Sequence, residues 1–105
     1  MDYRLEFIFA KKGAMRFISH LDLMRLLMRA LRRADLPLRL SEGFNPHPRV
    51  SLQRALKLGL ESEEEVGSVI LREFVKPEEF RTRFQAQLPE GILIRKVELK
   101  CQKRF

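Results

Sequence analysis

Two histidines, a scatter of lysines and arginines, and one stiff loop are the residues of this chain that could do chemistry. Residues 41–49 read Ser-Glu-Gly-Phe-Asn-Pro-His-Pro-Arg. Pro46 and Pro48 fix their own φ and push Asn45 and His47 into extended geometry. So rigid a loop is expected to present Phe44, Asn45, His47 and Arg49 as a contact surface. The plainer alternative is a wide turn whose Phe44 folds back into the core. Upstream stand Lys11, Lys12, Arg16 and His20, and after them Arg25 and Arg29. Ammonium, guanidinium and imidazole groups donate to phosphate oxygens, and a bare phenyl ring stacks on a base. These ten residues are the candidate contacts for an anion, with nucleic acid ahead of membrane lipid.

Composition bounds the reading. The 105 residues suit one domain, which the sequence predicts over 1–105. A third are charged and 45% hydrophobic, ordinary for a globular chain. No apolar run approaches the roughly 18 residues of a membrane helix. The start, Met-Asp-Tyr-Arg-Leu-Glu, lacks the layout of a signal peptide. Cys101 is the single cysteine, so no internal disulfide forms and the cytoplasm is the expected compartment. The net charge of +7 is unevenly placed. Residues 1–60 carry 12 Lys/Arg against 5 Asp/Glu, and residues 61–105 carry 9 of each. The whole excess lies in the first part, which suggests a polyanionic partner. The alternative is a solubilising surface that binds nothing.

The elements that must position these residues follow from periodicity. Tyr3 to Phe9 alternates and then turns apolar, a first strand. Ser19 opens a helix to about Ala34: its side chain can cap free N–H groups, and Asp22 stands where a capping box needs an acid. Leu21, Met24, Met28 and Leu31, joined by Leu23, Leu27 and Ala30, form its core stripe. Asp22, Arg25, Arg29 and Arg32 form the opposite row, either a track for phosphates or a solvated face. Leu36–Leu40 reads as a second strand, with the stiff loop after it. Arg49–Gly59 alternates as a strand broken near Arg54, Glu61–Glu65 reads as an acidic turn, and Val66–Val75 as a further strand. Pro77, Glu78 and Glu79 suit the first turn of a second helix with Phe80, Phe84 and Leu88 inward. Residues 92–99 make the last strand.

The order β-α-β-β-(β)-α-β predicts an α+β, ferredoxin-like two-layer sandwich, an antiparallel sheet with both helices on one face. With strand two at 36–40, the start of helix one and the 41–49 loop fall at the same end. Lys11, Lys12, Arg16 and His20 would then meet Asn45, His47 and Arg49 beside the free N–H groups of the helix. Ser19 and Asp22 are expected to act as caps. Two histidines at one end would also allow general acid–base cleavage of RNA. No metal site is expected, because His20, His47, Cys101 and the scattered glutamates lack ligand spacing. No phosphate-binding glycine loop appears, since Gly13 and Gly43 stand alone.

Ser19-His20-Leu21-Asp22, the helix ending Arg29-Ala30-Leu31-Arg32-Arg33-Ala34, Leu36-Pro37-Leu38 and Ser41-Glu42-Gly43-Phe44-Asn45-Pro46-His47-Pro48 carry a resemblance. Leu58-Gly59, Ser62-Glu63-Glu64-Glu65 and Leu88-Pro89-Glu90-Gly91-Ile92 continue it. Over nearly residues 5–99 the chain resembles the bacterial radical-SAM-linked proteins, an uncharacterised family found fused to, or encoded beside, radical SAM proteins. The resemblance implies an accessory or substrate-recognition role. One cysteine cannot hold an iron–sulfur cluster that needs three, so no cofactor is expected here. Family members are usually longer, which implies a short form or a fragment.

Three functions follow as expectations. The first is a non-enzymatic RNA-binding module serving a radical SAM enzyme that acts on RNA. The second is a protein-interaction domain docking a radical SAM partner through the same loop. The third is a small metal-independent ribonuclease using His20 and His47.

Overall fold

Alternating residues make the first strand, β1, Asp2–Lys11: Leu5, Phe7 and Phe9 are fully buried, while Arg4, Glu6 and Ile8 face the other way. The computed structural model describes residues 1–103. A short 3-10 turn, Gly13–Phe17, leads into α1, His20–Arg33. The Ser19 hydroxyl accepts from the Asp22 amide at 3.1 Å, the N-cap bond that starts the helix. Leu23, Leu27, Ala30 and Leu31 form its buried stripe. Leu21, expected on that stripe, is 58% exposed, because 3.6 residues per turn carry it away from the face set by Leu23, Leu27, Ala30 and Leu31. Arg83 donates to the carbonyls of Ala34 and Asp35, closing the C-terminal end of α1.

The second strand departs from the expectation. Residues 36–40 form no strand: Leu38 and Leu40 make only isolated bridges, to Leu71 and Pro48. Pro37 lacks a ladder donor, and the Leu38 amide turns back on the Leu36 carbonyl at 2.8 Å. The strand β2 is Val50–Leu52 alone. The acidic turn expected at 61–65 is strand instead: β3 is Ser62–Leu71, with Glu65 opposite Phe9 and Ser62 opposite Lys11. Two strands therefore lie between the helices. The second helix, α2, is Pro77–Gln85 with Phe80 and Phe84 fully buried, and β4 runs from Ile92 to Lys103, longer than the alternation indicated. Phe74, in the stretch read as strand to Val75, lies beyond the end of β3, is 52% exposed and meets Tyr3 edge-on.

The sheet order is β2-β3-β1-β4, every neighbouring pair antiparallel. This is the expected ferredoxin-like α+β sandwich. Phe7, Phe9, Val69, Leu71, Ile92 and Ile94 pack on one face of the sheet with the buried residues of α1 and α2. A T-shaped contact, Phe7–Phe84, ties α2 to β1, and a second, Phe80–Phe84, lies within α2. The other face is open. Register places Asp2 beside Lys103, so the outer ends of β1 and β4 are neighbours.

Candidate nucleic-acid interface

The position of β2 decides where the candidate residues fall. The 41–49 loop precedes the true strand two, so it lies at the end where β1 begins. Arg49 donates its amide to Arg39 and accepts from Ile70, which is opposite Arg4. Arg32, in the last turn of α1, donates to the Pro46 carbonyl at 2.8 Å. Lys11 and Lys12 lie at the other end, beside Ile92 and Gly91. A rise of about 1.5 Å per residue puts His20 about 18 Å from Arg32 along α1. The two segments do not meet, and no single phosphate reaches both histidines within hydrogen-bond range. The shared site is replaced by two separate poles.

At the α1-start pole, the cations are occupied. The Lys11 ammonium is buried and donates to the Lys57 carbonyl at 3.0 Å. Lys12 pairs with Glu63. The Gly13 amide donates to Glu61 at 2.7 Å. Arg16 donates to the Gly13 carbonyl and lies over the Phe17 ring. Nδ1 of His20 is buried with no hydrogen-bond partner among the described residues. Along α1, Arg25 is 3.6 Å from Asp22, whereas Arg29 has no partner among the described residues and lines a groove with Arg33 and the residues after α2.

The loop pole is different. Ser41 donates its amide to the His47 carbonyl at 2.8 Å, and its hydroxyl accepts from the His47 amide at 3.1 Å, so residues 41–47 form a closed, pinned loop. Gly43 sits at φ 121°, which a side-chain-bearing residue rarely adopts. Phe44, far from folding into the core, is fully exposed at the tip, and Asn45 is exposed beside it.

Under this loop, on the open face of the sheet, is a concavity of about 440 Å³ lined by Arg4, Ser41, His47, Arg49, Ser51 and Ser68 among others. No carboxylate lines it. The side chains of Arg4 and Arg49 have no partner among the described residues. Nδ1 of His47 is 3.1 Å from the Pro48 carbonyl. A carbonyl only accepts, so Nδ1 carries a proton and Nε2 is left for a ligand. The hydroxyls of Ser51 and Ser68 are 2.9 Å apart; whichever accepts keeps its own proton to donate. Ser41, an acceptor from His47, likewise keeps its O–H free. Two guanidinium forks and two or more hydroxyls thus converge without an opposing charge, an arrangement suited to an anion. An adjoining hollow of about 520 Å³ holds Arg39, but its guanidinium is bound to Asp2 at 2.6 Å.

Sequence reasoning singled out Phe44, Asn45, His47 and Arg49 but placed them at the α1-start pole, and it missed Arg4, Ser41, Ser51 and Ser68. Those four are polar residues on strands or strand flanks, and only the register reveals that they share one face.

Among the described residues, no group of three or more His, Cys, Asp or Glu could hold a metal ion. No helix there is long and apolar enough to cross a membrane. No curated protein matches the chain. Residues 4–104 match a family described as "Uncharacterized protein conserved in bacteria (DUF2344)", and the chain belongs to that family.

Proposed function

We propose that this protein is an RNA-binding module that contacts single-stranded RNA through the pole carrying the 41–49 loop. The observation that carries the reading is the carboxylate-free concavity with two unpartnered guanidiniums, Arg4 and Arg49, lined also by Ser41 and His47 of the loop whose exposed residue is Phe44. Arginines hold the backbone and an aromatic ring stacks on a base, the two parts that sequence-tolerant single-strand binding needs. The excess of positive charge in residues 1–60 supports the same reading. The motif resemblance around Ser19–Asp22 and Gly43–Pro48 supports a further part of the proposal, that the RNA is presented to a radical SAM enzyme.

The test is the affinity for oligouridylate as a function of salt. Binding weakens steeply with ionic strength, and the log–log slope falls by about one for each of Arg4→Gln and Arg49→Gln. Phe44→Ala weakens binding by roughly 5- to 150-fold without changing that slope, the range of one lost base stack. A salt-independent affinity, or one unchanged in all three variants, overturns the reading. The same Phe44 is the natural anchor for the second reading, a protein partner docked on the loop. Capture of a radical SAM protein that is lost in Phe44→Ala but unaffected by added RNA would favour that alternative.

A further inference from the structure

We propose that the Arg4–Arg49 concavity is a site for a phosphomonoester, the terminal phosphate of the strand, rather than for an internal phosphodiester. This rests on the RNA reading for its source of phosphate and goes beyond it in naming the group bound.

Charge is the first argument. The lining carries two guanidiniums and no carboxylate. A phosphomonoester carries about −1.5 to −2 charges near neutrality with three terminal oxygens, whereas an internal diester carries one charge and two terminal oxygens. Two forks, the Ser41 hydroxyl and the free proton of the Ser51–Ser68 pair supply donors for three oxygens, with Nε2 of His47 beside them.

The neighbourhood is the second argument. The concavity is one of three that adjoin along the open sheet face, sharing Ser41 and Arg49 on one side and Arg4, Ser51 and Ser68 on the other. Both flanking hollows contain acids. Glu42 and Asp2 line the first, where Asp2 already neutralises Arg39. Glu6 lines the other, 3.8 Å from Lys100. A strand threading through the centre would set its next phosphates against these carboxylates. A strand that ends there meets only the acid-free segment.

The experiment compares the wild-type protein with the Arg4→Gln/Arg49→Gln double variant. Both positions are exposed, and circular dichroism is used to check that the variant folds. Oligouridylates bearing a 5′-phosphate, a 3′-phosphate or only hydroxyl ends are titrated, labelled at the opposite end, together with uridine monophosphate. The expected result is binding tighter by about tenfold or more for one phosphate-ended strand over the hydroxyl-ended strand, on the order of one charge-assisted hydrogen bond, with that preference lost in the double variant. Equal binding of phosphate-ended and hydroxyl-ended strands overturns the inference and leaves the RNA reading standing. Binding of uridine monophosphate with the same double-variant loss, without binding of any strand, upholds the phosphomonoester site and overturns the RNA reading, identifying a free nucleotide as the source. No binding of any of the four probes overturns both.

Discussion

Glu65 shows how a charged residue can belong to the framework. Its side chain is 4% exposed and takes two bonds from Arg54, at 2.6 and 3.1 Å, and one from Ser62 at 2.5 Å. The Arg54 hydrogen bonds hold the carboxyl below its ordinary range, with Ser62 and the Lys11 charge adding to this and burial opposing it. Glu65→Gln removes the charge and presents an amide to a guanidinium, and is expected to cost about 1–3 kcal/mol in urea unfolding. Phe44 is the opposite case: Phe44→Ala is expected to leave the melting temperature unchanged, since its ring buries nothing. A stiff loop at 41–49 was legible from its two prolines, whereas residue types left Phe44 open between an exposed contact and the core, and the structure exposes it. The fate of Lys11 was not. A register shift between Phe9 and Lys11 sets its ammonium beneath the 53–61 loop instead of in solvent. Arg4 was equally hidden, because alternation assigns it to the polar face of β1 without saying what stands opposite.

Both helices, the Ser19 cap of α1 and the strands β1, β3 and β4 were readable from periodicity, and the strand read at 49–59 contains the shorter β2. The strand read at 36–40 is absent. Leu36 and Leu38 are buried as an alternating strand would bury them, yet they pack as a bridge segment that turns on itself. The glutamates of 61–65 disfavour a strand locally, but pairing with the end of β1 recruits them. That displacement of strand two by about a dozen residues moves the loop from one pole to the other, which is why the fold expectation survived while the shared site did not. Gly67 marks how closely β3 is fitted to its neighbours. A methyl group there would overlap the Phe7 ring, with Cε2 at 2.7 Å, and crowd Leu52 at 3.0 Å. Gly67→Ala is therefore expected to lower stability by about 1–3 kcal/mol, the range for an overfilled core, as read from the denaturation midpoint.

At the scale of the whole molecule, paired charge sets the response to acid. Hydrogen bonds from Lys96 and Lys100 pull the Glu98 carboxyl from its ordinary 4.5 to about 2, and Glu65 is lowered as well. Groups lowered by folding contribute stability above the ordinary carboxylate range and lose it as pH falls through the folded value. The urea midpoint is expected to hold near neutrality and decline from about pH 4.5 down to about 2; Glu98→Gln makes the decline shallower, and an unchanged slope would show that the pairs do not act in solution. The adjacency of Asp2 and Lys103 bears on kinetics. Pairing β1 with the edge strand β4 requires segments about eighty residues apart to meet before either strand is rewarded, a closure that slows the search for the native state. A circular permutant, with residues 103 and 2 joined by a short linker and new ends cut into the exposed 57–60 stretch, turns that encounter into a local hairpin and should refold faster in stopped-flow measurements while keeping the same sheet.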